Sequence, residues 1–189
     1  PKSDLDADIR FDTTPRFVSA GSVYLADETD DCVDCDGVTW TSGGSWTVSF
    51  WFKSTSTDRS DAEVLWGAKD NDGNERYTFY FNRTDTYGFT FYEENSSGGG
   101  STTLDLSNGG SSGDTRLLDG NWHHFALVMS NSGLTATLYV DGQDWATGAM
   151  NAAPDMSGAD LFTIGGDHGS DTCFGGSMTQ FGMWNAALS

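Results

Sequence analysis

Apolar and polar residues alternate along several short stretches of the chain, most clearly at Trp46–Lys53. One side of that stretch would be apolar and the other mostly polar, with Trp46, Val48, Phe50 and Phe52 set against Thr47, Ser49, Trp51 and Lys53. A period of two is typical of a β-strand that buries one face. Related patterns predict further strands at 17–25, 64–68, 77–83, 87–93, 122–130, 134–140, 161–165 and 177–185.

Turn-forming residues separate these predicted strands. Asn, Asp, Ser and Gly cluster at 70–74, 131–133 and 141–142, and such clusters form tight turns between antiparallel strands. Residues 96–115 are rich in Gly, Ser and Thr and are predicted to form a long loop. No stretch shows the 3.6-residue period of a helix. The sequence therefore predicts an all-β protein, a two-sheet antiparallel β-sandwich or jelly roll.

The charge of the chain excludes several classes of partner. Its 189 residues include 28 acidic and 9 basic ones, so the net charge is −19. Nucleic acid is excluded as a partner, because binding a phosphate backbone requires a positive surface. No run of about 18 apolar residues occurs, so we expect no insertion into a membrane. From the polar, acidic beginning of the chain we expect no signal peptide, and we expect the chain to be a fragment of a larger secreted protein.

Four stretches together resemble a known family: 45–53 (SWTVSFWFK), 119–127 (DGNWHHFAL), 138–142 (LYVDG), and 164–189 with its final WNAALS. In this order and spacing they resemble strands of laminin-G-like, pentraxin-related domains. The resemblance implies a concanavalin A-like jelly roll over residues 17–189, with 1–16 as an N-terminal extension or linker. The chain departs from the family pattern at 178–183 (MTQFGM), where acidic and basic residues are usual.

The resemblance also implies a range of functions. Members are commonly modules of secreted or cell-surface proteins that bind glycans, proteins or steroids, often with Ca²⁺, and some accompany glycan-processing enzymes. Relatives with the same sandwich include glucanases and alginate lyases. Retaining glycosidases need two carboxylates about 5–5.5 Å apart, usually from an E-x-D-x-x-E strand. The five Glu, at 28, 63, 75, 93 and 94, do not have that spacing, so we expect no catalytic activity.

Two neighbouring histidines, His123 and His124, fall within a predicted strand. Neighbours on a strand point to opposite faces, so the two rings cannot bind one metal ion together. We expect one ring to contact the core and the other to lie on an outer face.

Acidic residues crowd into residues 27–36, where ten positions hold six carboxylates. Charges this close repel one another unless they are solvated or neutralised by a cation. We predict a calcium site here, with Asp171 added because the family fold places the first and last strands side by side; its proposed ligands are Asp27, Asp30, Asp31, Asp34 and Asp171. The alternative is a solvated acidic surface.

The chain has three cysteines, Cys32, Cys35 and Cys173. The C-x-x-C pair lacks the second pair or histidines of a zinc site and the βαβ unit of a thioredoxin-like motif. We predict a disulfide from Cys173 to Cys35 or Cys32, with Cys35 as the first choice.

Aromatic and polar side chains share the non-core faces of three predicted strands. Rings beside hydroxyl and amide groups suit sugars, through stacking and hydrogen bonds, and the predicted ligand-binding residues are Trp51, Tyr80, Asn82 and Tyr92. The alternative is that the rings pack under loops. Asn82 and Asn95 also begin N-x-[ST] sequons and are predicted glycosylation sites in a eukaryotic source. A glycan on Asn82 would crowd the proposed ligand face.

These features lead to one functional hypothesis and two alternatives. The chain is predicted to be a non-catalytic extracellular or cell-surface binding and adhesion module that binds a glycan or an extracellular protein and is stabilised by calcium. The first alternative is a structural module that presents protein interfaces in a large extracellular or virion assembly. The second is a glycan-cleaving enzyme of the glucanase or lyase class.

Overall fold

The computed structural model describes residues 23–26, 32–36, 44–54, 63–69, 76–82, 88–95, 100–105, 117–132, 134–150, 161–166 and 173–189. Twelve strands lie in these ranges: β1 (Val23–Ala26), β2 (Val33–Asp36), β3 (Trp46–Lys53), β4 (Glu63–Lys69), β5 (Arg76–Asn82), β6 (Gly88–Asn95), β7 (Gly100–Asp105), β8 (His123–Ser130), β9 (Thr135–Val140), β10 (Gln143–Ala149), β11 (Leu161–Ile164) and β12 (Gly175–Trp184). No helix of the described part is long and apolar enough to cross a membrane. The predicted N-terminal extension, 1–16, lies outside the described residues.

The strands form two six-stranded antiparallel sheets, which confirms the predicted β-sandwich. Sheet A has the order β1-β12-β3-β8-β9-β10, and sheet B has the order β2-β11-β4-β5-β6-β7. Strand β12, the last in the chain, lies between β1 and β3, and β2 pairs with β11. Strands from the two ends of the chain are therefore neighbours, as expected from the resemblance.

Three of the observed strands were not predicted. β2 lies in the acidic stretch, β7 lies inside the predicted long loop, and β10 follows the turn at Asp141 and Gly142. The prediction of a loop over 96–115 is wrong at Gly100–Asp105, which pairs with β6. Among the described strands, all three are sheet edges with one neighbour each. An edge strand that buries little surface needs no regular alternation of apolar residues, so periodicity does not reveal it.

Aromatic rings fill the space between the two sheets. Phe125 of β8 lies 4.4 Å from Phe52 in its own sheet and 4.3 Å from Phe89 in sheet B, measured between ring centroids. Trp46 of sheet A meets Trp66 of sheet B edge-to-face at 5.6 Å. Each such ring buries a large apolar area, which explains how a chain with only 37% hydrophobic residues forms a dense core.

The stretch that departs from the family pattern contains a β-bulge. The pairing of β12 with β3 shifts between Thr179 and Gly182, and Gln180 has a positive φ of 51°. The extra residue turns Phe181 inward, where it stacks on Phe50 at 5.5 Å with an interplanar angle of 5°. A bulge re-aims a side chain in this way, so the unusual sequence here serves the core.

Candidate functional site

The four predicted ligand-binding residues lie on two different sheets. Trp51 belongs to β3 of sheet A, whereas Tyr80 and Asn82 belong to β5, and Tyr92 to β6, of sheet B. The outer faces of two packed sheets point in opposite directions, so the predicted common ligand face does not form. Alternation shows which side chains of a strand point outward, but it does not show which sheet the strand joins.

On sheet B the two tyrosines are close, but the groups between them are buried. Tyr80 is opposite Thr90 and Tyr92 is opposite Thr78, which makes the two residues diagonal neighbours, a spacing of about 7–8 Å. Thr78 is only 2% exposed and Thr90 only 5%. The hydroxyls beside the rings are therefore not accessible to a ligand. The side chain of Asn82 lies outside the described part of the structure.

Sheet A places a richer set of groups on its outer face. We call this surface the Trp51 face and define it by Ser49, Trp51, Lys53, Trp122, His124 and Tyr139. The register of the strands builds it: Trp51 lies between Thr179 of β12 and His124 of β8. One row further along, Ser49 is level with Ala126, which is itself opposite Tyr139. Aromatic, hydroxyl and imidazole groups thus alternate across three central strands.

The centre of the Trp51 face is held by direct contacts. The rings of Trp51 and His124 lie 5.2 Å apart at an angle of 56°. His124 Nε2 and Ser49 Oγ share a hydrogen bond of 2.8 Å. Burial lowers the pKa of His124, against the opposing effect of the Asp141 charge, so this imidazole is neutral at pH 7. It forms a fixed, uncharged support for the indole of Trp51.

A tryptophan and a lysine border the Trp51 face at one end. Trp122 is 38% exposed, and Lys53 Nζ lies 5.2 Å from the centroid of its ring. An ammonium group over an indole face is attracted by the ring electrons. The pair therefore offers a second aromatic surface and a positive charge two residues along β3 from Trp51.

The loop that carries Trp122 is fastened by a histidine between two carboxylates. His123 Nδ1 lies 2.8 Å from Asp141 Oδ2, and His123 Nε2 lies 3.2 Å from Asp119 Oδ1. Asn121 donates to both oxygens of Asp119, from its backbone N–H and its side-chain amide, at 2.7 Å each. The loop before β8 and the turn between β9 and β10 are thereby joined through one imidazole.

These contacts shift the pKa values of all three groups. Burial alone would lower the pKa of His123, but hydrogen bonds and charges from Asp141 and Asp119 outweigh it and raise that pKa. For Asp141, burial would raise the pKa, but the hydrogen bonds from His123 and from the backbone of His124, together with the histidine charges, outweigh it and lower that pKa. The pKa of Asp119 is lowered by the hydrogen bonds of Asn121 and, to a smaller extent, by His123.

The two histidines face opposite ways, as predicted. The ring of His123 contacts Phe52 of the core at 5.9 Å, whereas His124 lies on the Trp51 face. Asp141 Oδ1 accepts a hydrogen bond from the backbone N–H of His124 at 2.8 Å, and its other oxygen contacts His123. In a Ser-His-Asp triad the carboxylate orients the imidazole that contacts the serine. Asp141 does not do this for His124, so Ser49, His124 and Asp141 do not form such a triad.

Four of the five predicted calcium ligands, Asp27, Asp30, Asp31 and Asp171, lie outside the described residues. Asp34 is exposed on β2. Within the described ranges, no three side chains of His, Cys, Asp or Glu gather so as to hold a metal ion. Part of the acidic stretch is therefore an edge strand, and the calcium site stays a prediction.

The predicted disulfide between Cys35 and Cys173 is absent: the structure has no disulfide among its three cysteines, all of which are described. Cys35 is opposite Phe162 of β11 and belongs to the core cluster between the sheets. Because the side chain of Cys35 packs in the core, it is poorly placed for a disulfide at the edge of the sheet.

The predicted glycosylation sites, Asn82 and Asn95, are the last residues of strands β5 and β6, and their modification stays a prediction.

A family model of the laminin G type, described as "Concanavalin A-like lectin/glucanases superfamily", matches residues 27–189. The chain belongs to this superfamily. The resemblance inferred from its sequence is thereby confirmed. A comparison with curated protein sequences found no match.

Solved structures with the same fold come from several kinds of protein. Laminin G domains 4–5 of the mouse laminin α1 chain have a TM-score of 0.66 and 15% identity, over 97% of this chain and 47% of the laminin chain. NanB sialidase from Streptococcus pneumoniae has a TM-score of 0.66 and 16% identity, over 90% of this chain and 26% of the sialidase. The carbohydrate-binding module of the Ruminococcus gnavus IT-sialidase, bound to α2,3-sialyllactose, has a TM-score of 0.59 and 19% identity, over 83% of this chain and 94% of the module.

These similarities establish the fold and leave the ligand open. At such identities a shared sandwich does not carry binding residues from one protein to another. The chain spans about half of the matched laminin chain and about a quarter of the matched sialidase.

Of the six members of the Trp51 face, Trp51 alone was a predicted ligand-binding residue; Lys53, Trp122, His124 and Tyr139 were not considered as such. The alternation of β3 had placed Lys53 on the same side as Trp51, and the alternation of β8 had placed one of the two histidines on an outer face without showing which. The sequence did not show how these strands pair. The pairing sets Trp51 opposite His124, and it sets Ala126, two residues after His124, opposite Tyr139.

Proposed function

We propose that this chain is a non-catalytic, extracellular glycan-binding module whose sugar lies on the Trp51 face. The observation that carries the proposal is the fixed indole of Trp51 on an outer sheet surface, supported by the neutral imidazole of His124 and bordered by the hydroxyl of Ser49. Sugar rings stack on aromatic faces through their C–H groups while their hydroxyls form hydrogen bonds, and a rigid site loses little entropy on binding.

The charge of the molecule favours a neutral sugar. The chain has a net charge of −19, and Asp119, Asp141 and Asp144 are exposed close to the Trp51 face. These carboxylates would repel an acidic sugar. Lys53 is the one cation of the defined face, and it already contacts Trp122. A hydroxyl-rich neutral glycan therefore fits this surface better than a sialylated or sulfated one.

Calcium forms a second part of the proposal. Six carboxylates fall within ten residues of sequence, 27–36, and would repel one another without a counterion; Ca²⁺ prefers ligands of this kind. Asp34, the one proposed ligand that the structure describes, lies on edge strand β2 of sheet B, on the other sheet from the Trp51 face, which supports a stabilising role for this ion. Sugar binding should then be indirectly sensitive to chelators, through the stability of the fold.

An array of neutral and acidic glycans, probed with the purified chain in Ca²⁺ and again in EDTA, tests the proposal. We expect binding to neutral glycans, with no release of reducing ends when the bound sugars are incubated with the chain. Failure to bind any glycan in either buffer would contradict the proposal and favour the structural, protein-interacting module. Cleavage of a bound sugar would instead support the glycan-cleaving alternative.

A further inference from the structure

We propose that Cys32 and Cys173 form a disulfide bond when the chain is exposed to an oxidant, and that Cys35 takes no part in it. A β-carbon placed on Gly166 would lie 3.6 Å from Cys32 Sγ and 3.5 Å from Cys173 Sγ. The two sulfurs therefore flank one point and lie at most about 7 Å apart. A disulfide requires the sulfurs to approach to about 2 Å, so the proposal requires both side chains to rotate about their Cα–Cβ bonds.

The pairing of the strands brings the two cysteines together. Cys32 directly precedes β2, whose Val33 is opposite Ile164 at the end of β11. The chain then turns at Gly165, and the backbone N–H of Phe174 donates to the carbonyl of Gly165 at 2.8 Å. Residue 173 is thus held beside the turn that follows β11, which is where the beginning of β2 also lies.

Gly166 permits this close approach. A β-carbon at that position would stand 2.7 Å from Cys32 Cβ, a distance that real β-carbons essentially never show. Because glycine has no side chain, the backbone of the turn can lie against Cys32 and leave room for Cys173 on the same side.

Cys35 lies in a different environment. It is opposite Phe162, two strand positions further from the turn than Val33, and its side chain packs in the core. Because successive residues of a strand point to opposite faces, residues 32 and 35 point to opposite sides of β2. The sequence left both partners open, with Cys35 as the first choice, and the geometry favours Cys32 instead.

Such a bond would join the two sheets at an edge. Cys32 directly precedes β2, which is an edge strand of sheet B and pairs, among the described strands, only with β11. Cys173 leads into β12 of sheet A. A link between them would close about 140 residues of chain and restrict the unfolded state strongly. It would also hold the acidic stretch against the body of the sandwich.

The reaction needs a two-electron oxidant, for which oxidised glutathione serves. The thiolate of Cys32, the more exposed of the two cysteines, attacks one glutathione sulfur, forming a mixed disulfide and releasing one glutathione thiolate. The thiolate of Cys173 then attacks the sulfur of Cys32 and displaces the second glutathione. Two protons and two electrons leave the cysteine thiols, and one glutathione disulfide becomes two thiols.

Peptide mapping of the oxidised chain tests the pairing directly. Trypsin leaves Cys32 and Cys35 in one peptide, because no Lys or Arg lies between residues 17 and 52. Cleavage before aspartate separates them at Asp34. After oxidation by glutathione disulfide and digestion at aspartate without reduction, we expect a mass that links the Cys32 peptide to the Cys173 peptide.

Two variants provide a second readout. Oxidation should raise the Tm of Cys35→Ser by about 10 °C, because the loop that the disulfide closes is long. If serine at this position destabilises the core, Cys35→Ala replaces it. The same treatment should leave the Tm of Cys32→Ser unchanged. A link between Cys35 and Cys173, a bond between two chains, or the absence of any link in wild type would overturn the proposal.

Discussion

Replacement of Thr47 by valine should release the C-terminal segment of the chain from sheet A. The hydroxyl of Thr47 donates to the carbonyl of Ala186 at 2.8 Å and accepts a hydrogen bond from the backbone N–H of Leu188 at 3.0 Å. Thr47 itself is only 1% exposed. Valine has nearly the same shape but can form neither bond, so the substitution removes both contacts and leaves the packing largely intact.

The magnitude follows from which groups remain buried. An intramolecular hydrogen bond contributes a net of about 0.5–1.5 kcal/mol, so two of them set an upper limit of about 3 kcal/mol. Ala186 and Leu188 are exposed residues, and water can satisfy their backbone groups once Thr47 is replaced. The added methyl group of valine offsets a further part of the loss. We therefore expect the free energy of unfolding to fall by about 1–2 kcal/mol and Tm by about 5 °C.

Urea unfolding and thermal melting measure this loss, and amide hydrogen exchange locates it. The amide of Leu188 should exchange faster in Thr47→Val, while amides in the centre of β3 keep their protection. Thr137→Val is the matched control, because its hydroxyl contacts Thr147 at 3.1 Å on an outer face; its stability should stay within about 0.5 kcal/mol of wild type. Equal losses in the two variants, or unchanged exchange at Leu188, would refute the reasoning.

Three further predictions concern pH, the core and calcium. The raised pKa of His123 means that its stabilising effect is fully present below about pH 6.5 and is lost as the pH rises through its folded pKa. The lowered pKa values of Asp119 and Asp141 keep both carboxylates charged at pH 5.5, where His123 is protonated. The Tm difference between wild type and His123→Gln should therefore be larger at pH 5.5 than at pH 8.5; an unchanged difference would contradict this. Phe125→Ala should lower the free energy of unfolding by about 3–5 kcal/mol in urea, since this ring contacts both sheets, and a loss below about 1 kcal/mol would be inconsistent with that position. If residues 27–36 bind Ca²⁺, EDTA should lower the Tm of wild type by several degrees, and an unchanged Tm would identify the stretch as a solvated surface.

The predictability of the strands depends on how they are buried. Strands β3 and β8 lie inside sheet A and bury one face, so their apolar residues must alternate, and the sequence shows it at Trp46–Lys53. Edge strands such as Gly100–Asp105 have no such requirement, and their composition resembles that of a loop. The apolar–polar pattern of the sequence therefore reveals the central strands and misses three of the four edge strands, β2, β7 and β10.

The candidate site was harder to predict because it depends on pairing between distant strands. Trp51 and Tyr80 have similar patterns around them, yet β3 and β5 join opposite sheets. The contact between His123 and Asp141 spans 18 residues and exists only because β8 and β9 pair in one register. Likewise, the sequence placed Cys35 and Cys32 equally close to Cys173, and only the face of β2 on which each lies separates them.

Isothermal titration of three chains with the neutral glycan that binds best on the array tests the central claim most directly. The chains are wild type, Trp51→Ala on sheet A, and Tyr80→Ala on sheet B as a control of similar burial, each checked for an intact thermal transition. Loss of an aromatic stacking contact of about 1–1.5 kcal/mol weakens binding about tenfold. The account predicts that loss for Trp51→Ala and a Kd within about twofold of wild type for Tyr80→Ala. Unchanged binding by Trp51→Ala, with weakened binding by Tyr80→Ala, would place the sugar on the opposite sheet and contradict the account.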